Sequence, residues 1–136
     1  MQDKPYKIIV AGCRNMKDFV LLASELDYMF QNIALKDIEI VSGAQQTVTQ
    51  RSKGKYEKYG ADYLGELYAK TRGLQIKRFP ADWGEHGKKA GPIRNEEMAK
   101  YGTHLIAFPS QESRGTRNMI KLAKDHGLKV HVCELG

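Results

Sequence analysis

Five short apolar runs, separated by helical or polar segments, most constrain how this chain of 136 residues can fold. The runs are compact and rich in β-branched or aromatic residues, as buried strands are. They lie at residues 7–11, 37–41, 74–79, 104–108 and 128–133. Between most of them, apolar residues recur at helical spacing. The predicted helices lie at residues 16–32, 60–73, 95–101 and 115–127.

This alternation predicts the fold class. Strands that read as continuous apolar runs are typical of parallel sheets that are covered on both faces, and right-handed crossovers wind such sheets in both directions from the centre. We therefore expect an α/β fold with a doubly wound, mainly parallel five-stranded sheet and helices on both faces. No repeat or linker divides the sequence, so residues 1–136 are predicted to form a single domain.

Composition limits the classes of function. Hydrophobic residues make up 41% of the chain and charged residues 28%, which is ordinary for a globular protein. No apolar run approaches the roughly 18 residues that span a bilayer, and residues 1–5 do not resemble a signal peptide, so we expect a cytoplasmic protein without a membrane partner. The net charge of +6 suits an anionic ligand or nucleic acid without demanding either.

The predicted ligand site lies where the strands end. In open parallel sheets, ligands bind beyond the carboxyl ends of the strands, and the loops predicted at that edge carry glycines, hydroxyls and arginines, which suit phosphate oxygens. The candidate ligand-binding residues are Gly12, Cys13, Arg14, Ser42, Gly43, Ala44, Asp62, Asp82, Trp83, Arg94, Asn95, Ser110, Gly115 and Thr116.

Individual residues suggest individual roles. The Gly91-Pro92 pair is predicted to end an extended segment before a helix opens at Asn95, which would place Arg94 at a helix N-terminus. A guanidinium at that position is a bidentate partner for phosphate or carboxylate. Asp62 is a candidate for a ribose hydroxyl. Each role has a structural alternative, such as an ion pair or a helix cap.

An acidic and an aromatic residue follow the third strand and are further candidates. Asp82 is a candidate for the sugar or base, with turn capping as its alternative. Trp83 is a candidate for stacking on a base, although a large aromatic residue after a strand often packs under a loop.

Other kinds of site are not indicated. Neither a G-x-G-x-x-G fingerprint nor a P-loop is present. The two cysteines and four histidines show no metal-ligand spacing, so we expect no metal and no cofactor, with free thiols at Cys13 and Cys133. No catalytic residue can be assigned.

Together these motifs resemble the YspA/YpsA-like members of the SLOG superfamily, which also includes the lonely-guy phosphoribohydrolases and the DprA/Smf proteins. The motifs follow one another as Gly12-Cys13-Arg14, Ser42-Gly43-Ala44, Gly60-Ala61-Asp62, Pro80-Ala81-Asp82-Trp83, Gly91-Pro92-Ile93-Arg94-Asn95 and Gly115-Thr116. The resemblance implies a Rossmann-like fold and a nucleotide or ADP-ribose-like ligand, and related folds often form homo-oligomers.

Three departures from the family pattern bear on function. Cys13 replaces the usual serine, and Met119 stands where the phosphoribohydrolases have a glutamate, which counts against their hydrolysis. Residues 45–59 form a basic insertion between two motifs that usually lie almost adjacent. A lid, a nucleic-acid contact, a partner contact and a solvated loop are its open interpretations.

We therefore expect a protein that binds a nucleotide or nucleotide-derived ligand as a sensor, carrier or sequestering module. The first alternative is a nucleotide-processing enzyme of phosphoribohydrolase or nucleosidase type, for which Asp62, Asp82 and Glu96 are the nearby acid–base candidates. The second alternative, ranked last, is nucleic-acid binding through the basic insertion.

Overall fold

The computed structural model describes residues 4–135. Residues 1–3 and 136, which belong to the predicted N-terminal segment and single domain, lie outside the described residues. In chain order the elements are β1 (Tyr6–Gly12), α1 (Phe19–Met29), β2 (Ile38–Ser42), β3 (Thr47–Ser52), β4 (Lys55–Tyr59), α2 (Ala61–Arg72), β5 (Gln75–Arg78), α3 (Trp83–His86), α4 (Ala90–Tyr101), β6 (His104–Phe108), α5 (Arg114–Asp125) and β7 (Lys129–Val132), with 3-10 turns at Leu35–Asp37 and Gly87–Lys89.

Within residues 4–135, the main sheet has five strands in the order β5-β2-β1-β6-β7, and every pairing is parallel. The chain therefore builds outward from β1 in one direction through β2 and β5, and in the other through β6 and β7. This confirms the predicted doubly wound fold class. The strand order reverses between β1 and β6, and the crevice beyond their carboxyl ends is where such sheets bind ligands.

Helices cover both faces of this sheet because alternate residues of each strand point to opposite sides. On one face, Ile8 and Val10 of β1 pack with residues of α1 and α2 such as Leu22 and Leu64. On the other face, Ile9 packs with residues of α4 and α5. Two apolar layers thus fix the strand ends relative to the starts of α2 and α5.

The start of α4 differs from the prediction. The expectation that a helix opens at Asn95 with Arg94 at its mouth is wrong, since α4 begins at Ala90. Pro92 falls in the first turn, where a backbone N–H needs no partner within the helix and the fixed φ of proline suits helical geometry. Arg94 therefore lies in the second turn, and the short helix α3 precedes α4.

The basic insertion also differs from expectation. The sequence of residues 45–59 shows no period, yet β3 and β4 pair there as an antiparallel hairpin that forms a sheet of its own. Gly54 at its tip has φ +78°, a left-handed conformation that glycine adopts without strain. Helix α1 starts at Phe19, later than predicted, because Asp18 caps it by accepting from the Leu21 N–H at 2.9 Å.

Among residues 4–135, no helix is both long and apolar enough to cross a membrane.

Helix α2 approaches β1 so closely that Gly65 has no room for a side chain. A Cβ atom added there would lie 2.9 Å from the Cβ of Val10. We expect Gly65→Ala to lower the free energy of unfolding, because overpacking costs about 1–3 kcal/mol while alanine regains about 0.5–1 kcal/mol of helix propensity. Urea unfolding measures the difference.

Gly115→Ala is the matched control, because a Cβ added at Gly115 would meet no heavy atom within 4 Å. We expect it to be neutral or slightly stabilising. Equal stabilities for the two variants would contradict the close packing of α2 on β1.

Candidate anion-binding cavity

A cavity of about 670 Å³ opens at the carboxyl edge of the sheet, beside the ends of β1 and β6. It is enclosed by the loop after β1, the loop before α5, the start of α2 and the first half of α4. The predicted site residues that line it are Gly12, Cys13, Arg14, Asp62, Trp83, Arg94, Asn95, Ser110, Gly115 and Thr116. Ser42, Gly43, Ala44 and Asp82 do not line it.

Arg94 reaches the cavity from the second turn of α4 and is held by the loop after β2 and by its neighbour Asn95. Its Nη1 donates to the Gly43 carbonyl oxygen at 2.5 Å, and its Nε donates to Oδ1 of Asn95 at 3.0 Å. Asn95 is buried and donates through Nδ2 to Oδ1 of Asn118 at 3.0 Å and to the Gly115 carbonyl oxygen at 3.3 Å. Within residues 4–135, no residue accepts a hydrogen bond from Nη2 of Arg94, so this donor remains for a ligand.

The loop after β2 supports this arrangement without lining the cavity. A Cβ atom on Gly43 would lie 2.5 Å from Nη1 of Arg94 and 2.8 Å from Oδ2 of Asp62, so a side chain there would displace both groups. Ser42 is buried and donates to Oε2 of Glu66 at 2.7 Å. Ala44 has φ +61°, and the turn that it makes brings the next N–H, that of Gln45, toward Asp62.

Asp62 lies in the first turn of α2, facing the cavity. Its Oδ2 accepts from the backbone N–H of Gln45 at 3.1 Å. Burial raises the pKa of this carboxyl to about 6, because desolvation disfavours the charged form more strongly than Arg94, the Gln45 N–H and Arg14 favour it, and Glu66 adds to the rise. The cavity thus contains a carboxyl group that gains or loses its proton near pH 6.

Arg14 is the second arginine of the cavity. With the Gln45 amide turned so that its oxygen accepts, Nη2 and Nε of Arg14 donate to it at 3.0 and 3.1 Å. Burial is the main cause that lowers the pKa of Arg94, and the positive charge of Arg14 lowers it further. Two guanidinium groups that act on each other across one cavity favour an anion between them.

The start of α5 adds further donors. Ser113 accepts from the Ser110 N–H at 2.9 Å, which shapes the loop, and the first turn of the helix contains no acidic residue. Thr116 is only 6% exposed and lines the cavity, yet its hydroxyl makes no hydrogen bond with any residue in the range 4–135. The Thr116 hydroxyl, which is accessible from the cavity, and the helix N-terminus therefore offer one set of donors to an anion.

The other acid–base candidates lie away from the cavity. Asp82 caps α3 and accepts from the Glu85 N–H at 3.0 Å. Glu96 contacts Nε2 of His126 at 3.0 Å. Trp83 lines the cavity and remains 47% exposed, so its ring is free to contact a ligand. Of the three acids considered from the sequence, only Asp62 faces the cavity.

Several lining residues were not predicted. They include Asn15, Gln45, Thr47, Gly60, Ala61, Gly91, Pro92, Met98, Glu112, Ser113, Arg114, Asn118 and Met119. Asn118 could have been found from its position one helical turn after Gly115. Gln45 and Thr47 could not, because their approach to the cavity depends on the hairpin.

No protein-family model matches the chain. Over 77 residues it is 47% identical to the Gene 61 protein of Mycobacterium phage D29, a match that covers 52% of this chain and 62% of that protein. The chain therefore matches less than two thirds of that relative.

A solved structure is similar over nearly the whole chain. DNA processing protein A (DprA) from Streptococcus pneumoniae superposes with a TM-score of 0.66 at 15% sequence identity, covering 95% of this chain and 50% of DprA. At this identity the likeness shows the fold alone. It confirms the predicted Rossmann-like fold and its relation to the fold of DprA, while membership of the YspA-like group stays a prediction.

Asp62 gives the cavity a measurable pH signature. Its pKa is about 6 in the fold against 3.8 in the unfolded chain, so the folded state binds this proton more tightly. The free energy of unfolding of the natural protein should therefore fall relative to that of Asp62→Asn by about 1–3 kcal/mol as pH rises from about 4 to about 7. Urea unfolding at several pH values measures both curves. Parallel curves would contradict the burial of Asp62.

Proposed function

We propose that this chain binds a nucleotide or nucleotide-derived phosphorylated molecule, of ADP-ribose-like type, in the cavity beside β1 and β6. It would act as a sensor, carrier or sequestering module for that molecule. Residues 1–136 would form one nucleotide-binding domain, with the basic insertion at residues 45–59 as an addition. The observation that carries the proposal is the convergence of Arg14 and Arg94 on one cavity.

The phosphate would lie between these arginines and the start of α5. Nη2 of Arg94 and the hydroxyl of Thr116 are donors without a partner among residues 4–135. A helix N-terminus supplies further N–H groups and a favourable dipole. A guanidinium presents two N–H groups in a rigid planar fork that matches two phosphate oxygens, a geometry that the ammonium of lysine lacks.

The rest of a nucleotide would use the remaining lining residues. Asp62 can accept from a ribose hydroxyl in its ionised form, and the exposed ring of Trp83 can stack on a base. The cavity volume of about 670 Å³ falls in the range that small-molecule sites occupy. The solved neighbour is named for DNA processing, which fits a ligand of nucleotide chemistry.

An enzyme that cleaves a nucleotide at its glycosidic bond is the second candidate, and Asp62 favours it. A carboxyl with a pKa of about 6 can give or take a proton near neutral pH, as general acid–base catalysis requires. In such an enzyme Asp62→Asn would abolish turnover of a bound nucleotide while binding persists. Retained turnover in this variant would remove Asp62 from the reaction.

Arg94→Ala tests the binding proposal. The measurements are native mass spectrometry of the purified protein, followed by thermal-shift and calorimetric titrations with nucleotides, cyclic nucleotides and ADP-ribose. Loss of a charged hydrogen bond costs about 1.5–3 kcal/mol, so we expect the affinity to fall by about tenfold to 150-fold. Arg94→Lys should restore little, because lysine lacks the planar fork.

Arg72→Ala is the control, since Arg72 lies at the opposite end of α2 and pairs with Asp27 at 2.7 Å. The shift that a ligand produces in this variant should match that of the natural protein. Two results would show that the proposal is wrong. The first is that no nucleotide or ADP-ribose stabilises the folded natural protein, and the second is that the Arg94→Ala variant binds a ligand as tightly as the natural protein does.

A further inference from the structure

The basic hairpin, formed by β3 and β4, has two different faces. In an antiparallel pair, residues opposite each other point to the same side. Thr47 pairs with Tyr59 and Thr49 with Glu57 on the side that we call the inward face. Val48 pairs with Lys58 and Gln50 with Tyr56 on the other side. We call these four residues, together with Lys53 in the turn at the tip, the outward face; Lys55 alternates with Tyr56 and lies on the inward side.

The inward face is occupied by contacts within the protein. Glu57 pairs with Lys17 at 3.3 Å and with Arg51 at 3.8 Å, and the ammonium of Lys17 lies 4.5 Å from the centre of the Tyr59 ring. Thr47 donates to the Arg14 carbonyl oxygen at 2.8 Å, which ties the base of the hairpin to the body of the protein. The acid of this hairpin is therefore turned away from the outward face and already paired.

The outward face carries positive charge without a counter-ion. Lys53 and Lys58 are exposed, and neither forms an ion pair with any residue from 4 to 135. Residues 45–59 contain four basic residues and one acidic residue, a net charge of +3, which is half of the +6 of the whole protein. This surface is complementary to a polyanion.

Exposed apolar side chains lie among these lysines. Tyr56 is 64% exposed and Val48 49% exposed, both on the outward face. A tyrosine ring in this setting can stack on an unpaired base, since every base presents a flat face and the lysines beside it can reach the phosphates. A duplex keeps its base faces stacked inside, so it could use the lysines but not the ring.

We propose that the outward face of the hairpin binds a single strand of nucleic acid, with Lys53 and Lys58 at its phosphates and Tyr56 stacked on a base. This surface is separate from the nucleotide cavity and does not depend on the proposed function there. The partner is recognised by its charge and unpaired bases, so binding would show little sequence preference.

Fluorescence anisotropy with a labelled oligothymidylate tests the proposal on the full chain. Each phosphate contact contributes about −0.7 to the slope of log K against log salt concentration, so two lysines predict a slope of about −1.4. Lys53→Gln with Lys58→Gln should bring the slope to about zero. Tyr56→Ala should weaken binding by about fivefold to 150-fold, and Tyr56→Phe should retain it.

Matched controls separate this surface from the rest of the protein. Lys100→Gln with Lys124→Gln removes the same charge from exposed positions on α4 and α5, and Tyr28→Ala removes an exposed ring from α1. Both control variants should bind the oligonucleotide as the natural protein does. Arg94→Ala should do so as well, which distinguishes failure of the hairpin proposal from failure of the cavity proposal. Unfolding curves verify that each variant folds.

Four results would overturn the proposal. They are the absence of oligonucleotide binding, a salt slope that the hairpin lysine changes leave unaltered, duplex DNA that binds as tightly as the single strand, and binding of vesicles of anionic phospholipid in place of the oligonucleotide.

Discussion

The close approach of Arg94 and Asp62 over Gly43 is the constraint on which the candidate site depends. Arg94 comes from α4, Asp62 from α2, and Gly43 from the loop after β2, so the three meet only when the sheet and both of its helical layers are formed. Any side chain at residue 43 would push into both groups. Burial then sets the chemistry, since it raises the pKa of Asp62 and lowers that of Arg94.

A buried acid and two arginines are costly to hold together, and the fold stabilises them through backbone groups. The Gly43 carbonyl oxygen accepts from Arg94, and the Gln45 N–H donates to Asp62. Asn95 links α4 to α5 by its bonds to Asn118 and the Gly115 carbonyl oxygen. The start of α5 is thereby fixed relative to Arg94, so the donors around the cavity are organised before a ligand arrives, which limits the entropy that binding would cost.

The fold was largely predictable because each strand is a compact apolar run and Gly73, at the end of α2, takes the left-handed conformation expected of a helix cap. The start of α4 was not, because a Gly-Pro pair reads as a break although proline is tolerated in a first turn. The hairpin was missed because both of its faces carry polar residues, which leaves no alternation to detect. Most of the predicted site residues line one cavity, whereas Ser42, Gly43 and Ala44 support it without lining it. Only the packing of the side chains distinguishes lining residues from supporting ones.

The most direct measurement is NMR of the arginine side-chain N–H groups and the backbone amides during titration with ADP-ribose or a nucleoside diphosphate. The account predicts that the Nε signals of Arg14 and Arg94 move together with the amides of Gly115 and Thr116, while those of Tyr56 and Lys58 stay in place. Signals that remain unchanged at the cavity, or that move only in the hairpin, would contradict the claim that this cavity binds a phosphorylated nucleotide.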